Sequence, residues 1–68
     1  MYDFKKGDKV ECSQNGIGVV INTYNDKRTY PIEVLFTKSK SGEDIENICS
    51  YLKNGKVTVN GEIMLRII

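Results

Sequence analysis

The chain contains no alanine and no histidine, and it has one proline and two cysteines among 68 residues. Alanine is the best helix former, whereas valine, isoleucine, threonine and tyrosine, which suit strands, are frequent here. The composition therefore predicts an all-β protein. The lack of histidine removes the commonest general base. No apolar run exceeds three residues, far short of the roughly 20 needed to cross a bilayer.

The two cysteines, Cys12 and Cys49, are too few for a disulfide framework, and they do not form the Cys-x-x-Cys pair of a zinc site. We therefore expect reduced thiols, with neither a metal nor a cofactor. The first six residues lack the apolar segment of a signal peptide, which predicts a cytoplasmic protein with no membrane partner.

The charges are nearly balanced, since ten basic and nine acidic residues give a net charge of +1. Nucleic-acid-binding domains usually carry a clear basic excess, so the overall charge does not indicate such a partner, although a local basic patch stays open. The length predicts one domain over residues 1–68. A domain of this size buries only about 60% of the surface of its unfolded chain.

Alternating apolar residues and scattered glycines predict several short strands. The first strand covers Lys9–Cys12, with Val10 and Cys12 facing inward. The second strand covers residues 17–24, and one of its faces carries Ile17, Val19 and Ile21.

The third strand has the clearest period of two in the chain, and its inward residues are Ile32, Val34 and Phe36. At the start of the second strand, Gly16 and Gly18 flank Ile17, in a segment whose backbone must turn and then bend. Glycines inside a strand predict a bulge or a close approach of two backbones.

Residues 42–53 fit two structures. The positions of Ile45, Ile48, Cys49 and Leu52 have helical spacing, so a short helix within this segment is one reading. The alternation of Cys49 with Tyr51, and the Asn54-Gly55 pair typical of a type I′ hairpin turn, favour a strand instead. We predict the strand and keep the helix as the alternative.

A second Asn-Gly pair, at positions 60 and 61, separates the apolar segments 57–59 and 63–65 and predicts a C-terminal meander. Residues 65–68 should form an ordered strand, because two terminal isoleucines are costly to expose. This strand is expected to pair within the sheet or with another subunit, so a homo-oligomer formed through it is a candidate assembly.

The opening of the chain resembles the KOW and CarD-type SH3-like barrels. In those barrels a Gly-Asp-x-Val strand is followed by a Gly-x-Gly-x-Val strand. The matching segments here are Gly7-Asp8-Lys9-Val10 and Gly16-Ile17-Gly18-Val19-Val20. The resemblance implies a small, strongly bent antiparallel SH3-like barrel of five or six short strands.

A group of small bacteriophage and prophage proteins is more closely similar. Its pattern continues with Tyr-Pro-Ile-x-Val-x-Phe and then an aromatic residue shortly before an Asp-Gly turn. The matching segments are Tyr30-Pro31-Ile32-Glu33-Val34-Leu35-Phe36 and Tyr51-Leu52-Lys53-Asn54-Gly55-Lys56, with Asn in place of Asp. This resemblance implies a phage or prophage protein in the host cytoplasm. Barrels of this kind bind proteins, nucleic acids or small ligands, so the fold does not choose among them.

No residue receives a catalytic role. Enzymes need a nucleophile with a base, a carboxylate pair in a cleft, or a metal, and the serines and acids here fall mainly in predicted surface turns. The acidic cluster of Glu43, Asp44 and Glu46 is most simply a solvated loop, with a cation site or a partner contact as the alternative. We predict a binding protein rather than an enzyme.

Tyrosine and arginine are frequent at binding hot spots. A set of such residues gathers around one predicted loop and the N-terminus: Tyr2, Tyr24, Lys27, Arg28 and Tyr30. Alternatively, the tyrosines fill the rim of the barrel and the charges are solvated. The predicted function is docking on a host protein or holding a small ligand.

The runner-up function is that of a nucleic-acid-binding or transcription-associated barrel. Its phosphate contacts would be Lys27 and Arg28 of that loop together with three lysines near the N-terminus: Lys5, Lys6 and Lys9.

Overall fold

Five strands form a single antiparallel sheet in the computed structural model, which describes residues 4–68. The strands are β1 (Lys9–Cys12), β2 (Gly16–Thr23), β3 (Ile32–Lys38), β4 (Asp44–Tyr51) and β5 (Leu65–Ile67). Their order across the sheet is β4-β3-β2-β1-β5. The all-β prediction is confirmed, and the ambiguous segment 42–53 contains strand β4 rather than a helix. Nowhere in residues 4–68 is there a helix able to span a membrane.

The core lies on the inner face of this sheet. Its nine residues are at most 5% exposed: Phe4, Val10, Cys12, Val20, Ile32, Val34, Phe36, Tyr51 and Leu65. Because residues 4–68 supply no second layer, the sheet must bend around its own inner face to bury them. The rings of Phe36 and Tyr51 meet edge to face, with centroids 6.2 Å apart. The predicted inward residues of the first and third strands are confirmed.

Strand β2 turns glycine, not isoleucine, toward the core. Gly16 and Gly18 are buried, whereas Ile17 is 41% exposed on the outer face. A Cβ on Gly18 would lie 2.8 Å from the Cα of Phe36, so the two backbones approach too closely for any side chain. The pairing of β2 with β3 also shifts register between Ile17 and Gly18. The predicted bulge and close approach are confirmed.

Neither Asn-Gly pair forms the predicted type I′ turn. That turn needs positive φ at both central residues, and no residue other than glycine has positive φ within residues 4–68. At the first pair, the N–H of Gly55 donates to the carbonyl of Leu52 (2.7 Å), and Gly55 alone takes a positive φ of 86°. The turn thus places its glycine last, as in hairpin loops that end in a glycine bulge.

The predicted meander near the C-terminus is reduced to one isolated bridge, between Lys56 and Met64. Residues 57–59 do not form a strand. Strand β5 pairs with β1, as in the register of Cys12 with Leu65. On its other side, the N–H of Leu65 donates to the carbonyl of Gly55 (2.8 Å). Residues 55–57 therefore cover the outer edge where β5 begins, at Leu65, and the C-terminal strand pairs within the sheet.

Candidate binding surface

The loop between β2 and β3, residues 24–31, carries four of the five predicted binding residues: Tyr24, Lys27, Arg28 and Tyr30. The fifth, Tyr2, lies outside the described residues. The N–H of Tyr24 donates to the carbonyl of Pro31 (2.9 Å), which closes the base of the loop. We call residues 24–31 the β2–β3 loop.

An arginine holds the shape of this loop. The guanidinium of Arg28 lies over the ring of Tyr24, 3.6 Å from its centroid, in a cation–π contact. Its Nε and Nη2 donate to the carboxylate of Asp26 at 2.9 and 2.8 Å. The backbone N–H of Arg28 also donates to Asp26 Oδ1 (3.0 Å). Three residues thus fix the loop by contacts among themselves.

The same ion pair changes the electrostatics of the loop. The hydrogen bond from Arg28 lowers the pKa of Asp26, and the hydrogen bond to Asp26 raises the pKa of Arg28. Both side chains remain charged at neutral pH, and their charges compensate each other. A phosphate would have to compete with Asp26 for the guanidinium, which makes Arg28 a poor phosphate ligand in this geometry.

Glu33 in β3 anchors the base of the loop from the outer face. Its Oε1 accepts hydrogen bonds from Asn22 Nδ2 (3.0 Å) and from the hydroxyl of Tyr24 (3.3 Å). Tyr24 is therefore held at its ring by Arg28 and at its hydroxyl by Glu33. Tyr24 serves as a support for the loop, whereas Tyr30 is 44% exposed as a residue and is available for contact.

Sequence reasoning did not identify Asn22 and Glu33. The signal that could have found them is their pairing, since Asn22 lies opposite Glu33 across β2 and β3. Polar side chains opposite each other on an outer face commonly interact. Finding them required the register, which the bulge in β2 between Val20 and Asn22 shifts by one residue.

A groove of about 340 Å³ lies beside the loop. On one side it is bounded by the β2–β3 loop, and on the other by the turn at residues 52–54. Its apolar lining comes from Pro31, Leu52 and Val59, and the last of these is 76% exposed. The Asp26–Arg28 pair and Lys53 form its polar rim. A volume near this value is at the small end of ligand pockets.

A second, larger cavity of about 540 Å³ lies at the end of β1, next to the β1–β2 turn. Its lining includes Glu11 and Arg66, which form an ion pair with each other, and the apolar side chains of Ile17 and Met64. Opposite charges are already matched within it, so this cavity gives no sign of the charge of a ligand.

The predicted nucleic-acid contacts Lys5, Lys6 and Lys9 are exposed and lie at the same end of the sheet as the β2–β3 loop. This follows because the N–H of Gly7 donates to the carbonyl of Val20 (2.8 Å), and β2 continues from there into the loop. Asp8 lies among these lysines, and its carboxylate accepts the N–H of Lys5 (2.9 Å).

A partly buried polar cluster lies under the β1–β2 turn. Asn15 Nδ2 donates to the hydroxyl of Tyr51 (2.7 Å) and lies 3.9 Å from the sulfur of Cys12. Burial raises the pKa of Tyr51, so its phenol is neutral throughout the physiological range. Cys12 is buried and Cys49 half-buried, and both are free thiols. The cluster joins β4 to the β1–β2 turn and so acts on structure.

Comparison with known proteins found no family, no curated protein and no solved structure that matches the chain. The resemblance to phage proteins and to KOW and CarD-type barrels therefore stays a prediction.

Proposed function

We propose that the protein is a non-enzymatic binding module that docks on a partner protein with the β2–β3 loop and the adjacent groove. The observation that carries this proposal is the Tyr24–Arg28–Asp26 arrangement, which orders the β2–β3 loop beside an apolar groove. A loop that is ordered before binding loses little conformational entropy on association. A phage or prophage origin and a cytoplasmic location belong to the proposal through the sequence motifs alone.

The chemistry of the groove favours a peptide or protein side chain over a phosphate. Pro31, Leu52 and Val59 offer apolar contact, and the exposed ring of Tyr30 adds an aromatic surface on the same loop. Aromatic residues beside a small apolar pocket are typical of interface hot spots. A small apolar ligand in the same groove is the second reading of this site.

Photo-crosslinking tests the proposal directly. A photoreactive amino acid replaces Tyr30, and the protein is irradiated in the cytoplasm of the cells that produce it, followed by nuclease treatment. We expect a discrete protein adduct that survives nuclease. The Val59→Asp variant should lose the adduct, because a carboxylate enters the apolar groove. The control Met64→Asp, at the second cavity, should keep it.

An adduct that disappears with nuclease would instead support the nucleic-acid function. In that case the affinity for duplex DNA should fall steeply with salt, with a log–log slope near −0.9 per phosphate contacted. The double variant Lys27→Ala, Arg28→Ala should flatten that slope. An adduct unaffected by Val59→Asp would contradict docking at the groove.

A further inference from the structure

Strand β4 presents an edge that nothing in residues 4–68 covers. It pairs with β3 on one side only, and it stands last in the strand order. Exposed strand edges readily pair with another strand, because their backbone N–H and C=O groups have no hydrogen-bond partner within the sheet. Ile48, at the middle of this edge, is 61% exposed.

The hydrogen-bonding pattern identifies the residues of β4 whose backbone N–H and C=O groups point away from the sheet at this edge. The N–H of Tyr24 donates to the carbonyl of Pro31, so the backbone N–H and C=O groups of every second residue from Pro31 onward point toward β2. The backbone groups of the residues between them, Ile32, Val34 and Phe36, point toward β4. Their partners in β4 are Tyr51, Cys49 and Asn47. The backbone groups of the intervening residues therefore point to the open edge: Glu46, Ile48 and Ser50.

An apolar row on the outer face ends at the same edge. Val19 of β2 lies opposite Leu35 of β3, and Leu35 lies opposite Ile48 of β4. Val19 and Leu35 are half-buried, and Ile48 is the most exposed of the three. A strand added to this edge would extend the row and cover the flank of Ile48.

We propose that a second copy of this chain occupies the edge, with the two β4 strands antiparallel about a two-fold axis at Ile48. In this register each Ile48 exchanges both of its backbone hydrogen bonds with Ile48 of the second copy. The two sheets join into one ten-stranded sheet, and the apolar rows become continuous across the axis. An isologous contact of this kind closes as a dimer.

The charges within β4 are compatible with self-pairing in this register. Its acids, Asp44 and Glu46, both precede Ile48. Pairing about Ile48 places the apolar side chain of Ile48 against its own copy and Glu46 opposite the neutral Ser50 of the second copy. Asp44 is already paired with Lys38 in its own chain. No two like charges lie directly opposite each other.

The distance between like charges also favours this register. The two Glu46 side chains would be four residues apart along the ladder, about 13 Å at roughly 3.3 Å per residue. That exceeds the Debye length of about 8 Å at physiological salt. A register centred on Asn47 would halve this separation and place Glu46 opposite Ile48.

The test is sedimentation velocity of the full chain from micromolar to millimolar concentration. We expect the wild type to shift from monomer to dimer as the concentration rises. Ile48→Lys should raise the dissociation constant at least about tenfold, since it places two ammonium groups together on the axis. Ser50→Pro should act likewise, because it removes an N–H that points out of the sheet.

A matched control separates this edge from the C-terminal strand. Ile67 is 56% exposed, similar to Ile48, but it lies in β5. Ile67→Lys should leave the dimer intact. Circular dichroism melts show whether each variant is folded. A wild type that stays monomeric at millimolar concentration would overturn the proposal. Dimerisation lost in Ile67→Lys but kept in Ile48→Lys would overturn it too.

Discussion

The two edge strands of the sheet, β5 and β4, differ in whether another segment of the chain pairs with them. At the β5 edge, Leu65 donates to Gly55, and the N–H of Val57 donates to the carbonyl of Ile63 (3.1 Å). The segment 55–57 thus runs beside residues 63–65 and occupies the outward N–H of Leu65, where β5 begins. At the β4 edge no described segment plays this role, and Ile48 stands largely exposed.

The difference lies in a short covering segment. Residues 55–57, entered through a turn ending at Gly55, pair with the chain at the start of β5. The β4 edge is instead marked by the acids Asp44 and Glu46, which disfavour indiscriminate pairing. Selective self-pairing through β4, with β5 covered at Leu65, is the arrangement that we infer.

The largest expected effect lies in the core beneath both edges. Val34→Asp and Phe36→Asp should each unfold the domain, because both side chains are fully buried and a carboxylate there has no partner. The cost should exceed the roughly 3–5 kcal/mol that a core of this size supplies. The matched outer-face variant Ile48→Asp should still fold.

Thermal denaturation followed by circular dichroism measures all three variants. A cooperative melt near that of the wild type for Val34→Asp or Phe36→Asp would show that the faces of β3 are assigned the wrong way round.

Alanine substitutions of two glycines, one near each edge, allow the edges to be compared directly. Gly42 ends the turn before β4 and Gly55 ends the turn before the covering segment, with φ of 88° and 86°. A Cβ on Gly42 meets nothing within 4 Å, whereas one on Gly55 would lie 2.8 Å from Phe4 Cζ. Gly42→Ala should cost about 1 kcal/mol from backbone strain alone. Gly55→Ala should cost roughly 3 kcal/mol, since overpacking adds to the strain.

Urea denaturation of both glycine variants gives the free energies of unfolding. Equal losses for Gly42→Ala and Gly55→Ala would mean that the covering segment is not packed against Phe4, and the contrast between the edges would fail.

A smaller effect is expected where Tyr51 ties β4 to the β1–β2 turn. Tyr51→Phe removes the hydrogen bond from Asn15 (2.7 Å) and should cost about 1 kcal/mol. Burial raises the pKa of Tyr51 above its usual value of 10.0, so the unfolded chain releases this proton first. Stability should be intact below pH 10 and fall as the pH rises above it.

The pH dependence is measured by urea denaturation at pH 8 to 11, on the wild type and on Tyr51→Phe. The variant should lose the part of the alkaline destabilisation that Tyr51 causes. Identical pH profiles for the two proteins would contradict the burial of this phenol.

Much of the fold was predictable because it depends on local periodicity. The alternation of Ile32, Val34 and Phe36 fixed the inner face of β3, and the glycines at 16 and 18 predicted the close approach of β2 to β3. The turn types were wrong because an Asn-Gly pair is compatible with more than one turn. Which dihedral angles it adopts depends on how the next segment pairs.

The candidate site was predictable only in its composition. Tyrosines, lysine and arginine marked the β2–β3 loop, but Asp26 and Glu33, which hold Arg28 and Tyr24, emerge only from the folded chain. Val59 lies 28 residues beyond the end of the loop at Pro31, and nothing local indicates that it lines the same groove. Long-range contacts of this kind leave no periodic signal.

The most direct test of the contrast between the edges is amide hydrogen exchange by NMR, residue by residue, at several protein concentrations. The amide of Leu65 should be protected at every concentration, because Gly55 of the same chain accepts its hydrogen bond. The amide of Ile48 should exchange rapidly in dilute protein and gain protection as the concentration rises. An Ile48 amide equally protected at all concentrations, or never protected at millimolar protein, would contradict an open β4 edge that pairs with a second copy.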